Sequence, residues 1–195
     1  SRNLFETVLN VTDSEAEIVI GEEPVDLDTL LDGLTLTKLN DIFQDILQRN
    51  TPAAVAWIRG NEDNPRLGGS VKFFKTPYEG MLVEAEIFGL PNITTPGSSN
   101  FYAMHIHENG NCTPPFDLAG EHYSQMPQLH PQHTGDMVAL MGNQGYAWTA
   151  FYDKRFKLPD IMGRSVIIHA MPDDFMTQPS GNSGARIGCG VIRAN

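Results

Sequence analysis

The chain has no histidine before His105, yet six occur between His105 and His169. Basic residues are scarce: 13 Lys+Arg face 24 Asp+Glu, for a net charge of -11. That balance argues against nucleic acid or an anionic membrane surface as a partner. No apolar run approaches the ~20 residues of a membrane-spanning helix. No basic stretch followed by an apolar one opens the chain, and a start at Ser1 fits a removed leader or a trimmed end. There are only two cysteines, Cys112 and Cys189. One disulfide closing a long loop and two buried thiols both remain open on composition alone. At 195 residues and 41% hydrophobic, the chain suits one globular domain with an appendage.

From about residue 53 the pattern is β. Ala53, Val55 and Trp57 alternate with small or apolar partners before the turn-rich 60–65 stretch. Further strands are predicted at 71–74, 81–88, 101–107, 137–140, 146–152, 165–169 and 187–193. Short strands separated by Gly, Pro and Asn turns predict a sandwich or barrel. Residues 108–135 and 170–186 lack regular pattern, and long ordered loops of this kind tend to carry function. The first 52 residues differ. Leu39, Ile42, Phe43, Ile46 and Leu47 recur at helical spacing behind a cap at Thr37, and Pro52 follows. A shorter helix is expected over 26–31 and a strand over 16–20.

The histidines are informative as a group. A lone histidine is more often a satisfied structural residue than a ligand. His105 and His107, two apart on a strand, point to one face and can share a metal. His130 and His133, followed by Asp136, supply two nitrogens and a carboxylate within one loop. With one more ligand they form the closed tetrahedral site that zinc prefers. A separate group of imidazoles with an open position suits copper.

Residues 53–194 resemble the copper/zinc superoxide dismutase family. The matching stretches, in the family's order, are His105-Ile106-His107-Glu108-Asn109-Gly110-Asn111-Cys112, Ala119-Gly120-Glu121-His122, His133-Thr134-Gly135-Asp136, Gly163 to His169, Asp173-Asp174 and Gly181 to Ile192. The resemblance implies a mainly β fold, a Greek-key eight-stranded barrel or sandwich with long metal-binding loops. It implies a domain over 53–195 behind a partly helical extension over 1–52. It further implies copper bound by His105, His107, His122 and His169, and zinc bound by His122, His130, His133 and Asp136, so that His122 bridges. Asp173 would orient one ligand of each metal, Cys112 and Cys189 would pair, and Arg186 would hold the anion beside copper. His122 and Arg186 would be the catalytic residues of an enzyme that disproportionates superoxide to dioxygen and hydrogen peroxide.

Several departures bear on that reading. Only Pro131 and Gln132 separate His130 from His133, where the family has a longer insertion, so a looser zinc site is expected. Tyr123-Ser124-Gln125 stands where the family usually has Phe-Asn-Pro. No lysine lies between His169 and Arg186, which predicts weak electrostatic guidance of superoxide. Residues 1–52 lack cysteine, unlike the extension of the family's copper chaperone. The alternatives are a copper-only dismutase and a non-catalytic metal-binding or structural relative. A disulfide would favour a secreted or cell-envelope setting. Asn10, Asn92 and Asn111 head glycosylation sequons that apply only in a eukaryotic secretory source. Homodimer formation is an open expectation.

Overall fold

The computed structural model describes residues 36–195 apart from Gly97, with side chains from Asn40 onward. The expected helix over 26–31 and strand over 16–20 lie outside the described residues. Helix α1 (Leu36–Arg49) precedes strands β1 (Ala54–Gly60), β2 (Gly68–Lys75), β3 (Met81–Phe88), β4 (Phe101–Tyr102), β5 (Met104–His107), β6 (Leu140–Met141) and β7 (Tyr146–Asp153). A one-turn helix, α2 (Leu158–Ile161), then leads to β8 (Ser165–His169) and β9 (Arg186–Ala194). Among the described residues no helix is long and apolar enough to cross a membrane.

Seven strands form one antiparallel sheet in the order β5-β8-β9-β1-β2-β3-β7. The short β4–β6 pair lies between its two edges, because β4 runs into β5 and β6 turns back into β7. The sheet therefore curls on itself as a β barrel. Its inner face follows from the two-residue period of a strand. Ala54, Ala56 and Ile58 of β1, Val71 and Phe73 of β2, and Val83, Ala85 and Ile87 of β3 meet Tyr102, Met104, Ile106, Val166, Ile168 and Ile192 in one buried core.

The outer face is covered in two places. Phe74, Leu82 and Tyr152 lie under α1, whose Ile46 is fully buried and whose Ile42, Phe43 and Leu47 pack around it. The Phe43 ring stacks on Tyr152 with centroids 5.4 Å apart. The helical spacing read from the sequence is thus the face that docks. The helix is present from Leu36, so Thr37 sits inside its first turn rather than ahead of it. At the other end, Phe116 and Ala119 cover Ile167 and Cys189. Between these covers, Trp57, Phe88, Tyr146 and Trp148 remain exposed.

Two predicted strands changed. The strand expected over 101–107 is split at Ala103 into β4 and β5. Ala103 accepts from His169 N–H and donates to Met171 C=O, beside an irregularity at Ile168/His169 in the β8–β9 register. Such a bulge re-aims the side chain it carries, here His169. The strand expected over 137–140 begins only at Leu140. The Asp136 carbonyl just before it accepts from the Arg155 guanidinium, which draws this backbone away from a ladder.

Candidate metal centre

Strand β5 pairs with β8 on one side and carries isolated bridges on the other, His105 to Asp136 and His107 to His122. Three backbone hydrogen bonds close a triangle among the converging segments: Tyr123 N–H to Ile106 C=O (2.8 Å), Ile106 N–H to Gly135 C=O (2.9 Å) and Gly135 N–H to Tyr123 C=O (2.8 Å). Gly135 is required by that approach, since a Cβ there would sit 2.3 Å from the Ile106 carbonyl oxygen. Period two then aims His105 and His107 away from the core, toward His122 and the 130–136 loop.

All six histidines gather in one place. The ring centroids of His105 and His122 are 3.8 Å apart, and His122 lies 5.0 Å from His107 and 5.6 Å from both His130 and His133. Two sets of donor atoms result, each within 4.8 Å: His105, His107, His122 and His169, and His122, His130, His133 and Asp136. His122 belongs to both. Its Nδ1 contacts Asp136 Oδ1 at 2.7 Å, while its buried Nε2 has no hydrogen-bond partner.

Hydrogen bonds around the rings fix where the lone pairs point. His107 Nδ1 donates to Gly120 C=O (2.9 Å), and His169 Nδ1 donates to Gly184 C=O (3.3 Å). A carbonyl only accepts, so in each neutral ring Nε2 is left as an acceptor. Those two acceptors face each other at 3.3 Å. His105 and His130 each turn Nε2 to Asp173, at 2.9 and 2.8 Å, which leaves both Nδ1 atoms as acceptors. Neither has a hydrogen-bond partner, nor does His133 Nδ1. His130 Nδ1 and His133 Nδ1 instead lie 3.2 Å from Asp136 Oδ2. Buried acceptors crowded on one another are costly unless a cation is shared among them.

Protons are poor candidates for that cation. Burial, reinforced by the adjacent imidazoles, pushes His105 and His107 well below the ordinary imidazole range. Burial likewise pulls His169 down to about 3. At Asp136 burial acts upward, but the hydrogen bond from His122 and the surrounding imidazoles outweigh it and hold the carboxyl below its usual value. Neutral imidazoles and one carboxylate form a donor set for divalent transition metals, so the residues fit copper and zinc.

Arg186 stands beside the His107 side of the site. Its Nη1 donates to Phe116 C=O (2.8 Å) and Asp117 C=O (3.3 Å), and its Nη2 to Gly120 C=O (2.7 Å), the same oxygen that holds His107. These bonds occupy at most three of the five guanidinium N–H groups. The carbonyls come from a loop tied to β9 by the disulfide Cys112–Cys189, a closure across 77 positions.

The structure also uses residues that the sequence reading passed over. Arg155 and Gln178 reach the backbone of the 130–136 loop. Neither carries a motif signal: one follows β7 in an ordinary charged run, the other sits in a polar loop. Gly120 supplies its carbonyl rather than a side chain.

A curled β barrel bearing two donor sets joined by one histidine defines a two-metal centre. Comparison with known proteins gives the family. The family model described as copper/zinc superoxide dismutase matches residues 67–192. A copper/zinc superoxide dismutase of Deinococcus radiodurans is 32% identical over 151 residues, covering 66% of this chain and 79% of that protein. One from Caulobacter vibrioides is 36% identical over 143 residues, covering 64% and 78%. The crystal structure of a double mutant of a dismutase-like protein from Bacillus subtilis superposes with a TM-score of 0.60 at 30% identity, covering 73% of this chain and 98% of that one. The chain belongs to the copper/zinc superoxide dismutase family.

Proposed function

We propose that this chain is a superoxide dismutase whose copper is held by His105, His107, His122 and His169 and whose zinc is held by His122, His130, His133 and Asp136. The observation that carries this reading is the pair of acceptor nitrogens, His107 Nε2 and His169 Nε2, facing each other at 3.3 Å with no donor between them. When bound, copper supplies the one-electron exchange with superoxide and zinc supplies fixed positive charge.

The chain's own residues bind the anion and manage protons. Arg186 offers its remaining N–H groups to superoxide, with its other donors anchored on backbone carbonyls so that the guanidinium costs little to order. Asp136 holds Nδ1 of His122 and leaves Nε2 directed into the copper set. Nε2 is thus the atom that would take up a proton when it is not holding metal and pass that proton to the departing peroxide, a general-acid role. Two superoxide anions and two protons yield one dioxygen and one hydrogen peroxide. Asp173 keeps His105 and His130 in the tautomers that expose Nδ1. The disulfide supports a secreted or cell-envelope setting.

Metal analysis of the purified protein, paired with dismutase assay after loading, tests the reading. One copper and one zinc per chain with activity is expected. Copper alone with activity would make it a copper-only dismutase, and bound metal without activity would leave a non-catalytic relative.

A further inference from the structure

With only Pro131 and Gln132 between two ligands, the 130–136 loop has little internal scaffold. Inside it, His133 N–H reaches Asp136 Oδ2 at 3.0 Å and Asp136 N–H returns to His133 C=O at 3.2 Å, while Gln132 N–H reaches Leu129 C=O at 2.8 Å. The rest of its support comes from outside.

Gln178 brackets His130 at the main chain. Its Oε1 accepts from His130 N–H (3.0 Å) and its Nε2 donates to His130 C=O (2.8 Å). One side-chain amide thus matches both polar groups of one residue, as a neighbouring strand would. Arg155 grips the other end. Its Nη2 donates to Asp136 C=O and its Nη1 approaches His133 C=O at 3.5 Å. The guanidinium is aimed by Asp153, which takes Nε at 3.0 Å on Oδ1 and Nη2 at 2.6 Å on Oδ2. Asp153 is buried at the end of β7, so the grip is referred to the barrel. The backbone of His130, His133 and Asp136 is therefore held by side chains from beyond the loop.

We infer that Arg155 and Gln178 are positioning residues for the zinc half of the site, fixing from outside a loop too short to fix itself. The inference rests on the assignment of His130, His133 and Asp136 to zinc. Geometry selects the residue types. Arginine's planar fork can serve Asp153 and the loop carbonyls together, which a lysine ammonium cannot. The expected consequence is selective: partners that orient metal ligands typically account for about 10–100-fold in affinity. Both side chains are exposed to water, so the lower end of that range applies.

The test measures zinc affinity by chelator competition in the full chain and in Arg155→Lys, Arg155→Ala, Gln178→Ala and the Arg155→Ala/Gln178→Ala double variant. The visible spectrum of the cobalt(II)-substituted protein is read alongside. Each single variant should lose about tenfold in zinc affinity and the double about 100-fold, since the two grips act on different residues. Cobalt bands should broaden or shift, while copper affinity stays within about twofold. If Arg155→Ala does not fold, Arg155→Lys and Gln178→Ala carry the test. Wild-type zinc affinity in the single variants would overturn the inference, as would an equal loss for copper and zinc tracking a general loss of stability. Failure of the parent chain to bind zinc would overturn the zinc assignment instead, which separates the two.

Discussion

His105 and His130, one from each donor set, direct their Nε2 atoms to opposite oxygens of a single buried carboxylate, Asp173, at 2.9 and 2.8 Å. That carboxylate also accepts Phe175 N–H at 2.7 Å. Both sets are thus oriented by one residue from the 170–186 loop, so a fault there reaches both metals.

Asp173→Asn should expose this dependence. An amide keeps one acceptor and replaces the other by a donor, so one of the two rings loses its partner. His130, on the short loop, should yield first. Zinc affinity should fall about 10–100-fold, with a smaller effect on copper, as read by metal retention against a chelator series. Equal retention in variant and parent would remove Asp173 from this role.

Gly181 carries a related prediction. It adopts φ +65°, and a Cβ there would lie 2.0 Å from Asp173 Oδ1 and 2.6 Å from His130 Nε2. Gly181→Ala should therefore push the carboxylate off the ring and weaken zinc as Asp173→Asn does. Gly163 is the control, with φ +77° and nothing within 4 Å of its Cβ position. Gly163→Ala should cost only backbone strain, roughly 1–2 kcal/mol, without loss of zinc. Denaturation curves and zinc titrations of both variants check the contrast.

Much of this arrangement was readable in the sequence. Strand β3 and strand β8 have the predicted limits, because their apolar runs end at clear turn signals. The amphipathic face of α1 was also visible, since helical spacing survives without knowledge of the partner surface. His105 with His107, and His130 with His133 and Asp136, stand together in space as their local spacings suggest, whereas His122 and His169 are far from their partners in sequence and entered only through the family resemblance. The break at Ala103 and the late start of β6 were not visible. Both depend on partners distant in sequence, Met171 and Arg155, and strand periodicity carries no trace of either. Arg155 and Gln178 act through backbone groups, which any loop sequence offers, so residue type alone did not mark them.

Acid should destabilise the metal-free protein. The unfolded imidazole takes up a proton near its ordinary value of 6.5, whereas burial in the folded chain holds His169 neutral down to about 3. Between those values the unfolded state binds more protons, so stability falls as pH drops through the window and levels off below it. Above 6.5 neither state is protonated there and the effect vanishes. The difference for His169 alone is on the order of 5 kcal/mol in full acid, and His105 and His107 shift in the same direction. Urea denaturation of the metal-free chain at pH 7.5, 5.5 and 4.5 should show a falling midpoint. A flat midpoint across that range would contradict the burial of neutral imidazoles.

Substrate guidance should differ from that of relatives with lysines near the site. Arg186 is the only lysine or arginine between His169 and Gly188. Around it, Glu108 and Glu121 adjoin His107 and His122, Asp117 adjoins the carbonyls that hold Arg186, and Asp174 follows Asp173, all four exposed. Their charges oppose an approaching superoxide, and being exposed they are screened over a Debye length of ~8 Å at physiological ionic strength. Salt then screens repulsion from these acids as well as attraction to Arg186, and the two effects offset. The second-order rate should fall only shallowly, by less than about twofold, between roughly 0.02 and 0.2 M ionic strength. Glu121→Lys should raise the low-salt rate and steepen its fall, because one added base replaces a repelling charge by an attracting one. Arg186→Ala should reduce the rate at every ionic strength, since it removes the anchored donor as well as the charge. Stopped-flow assays across a salt series would decide the matter: a steep fall in the parent chain would mean that Arg186 dominates the field despite the acids around it.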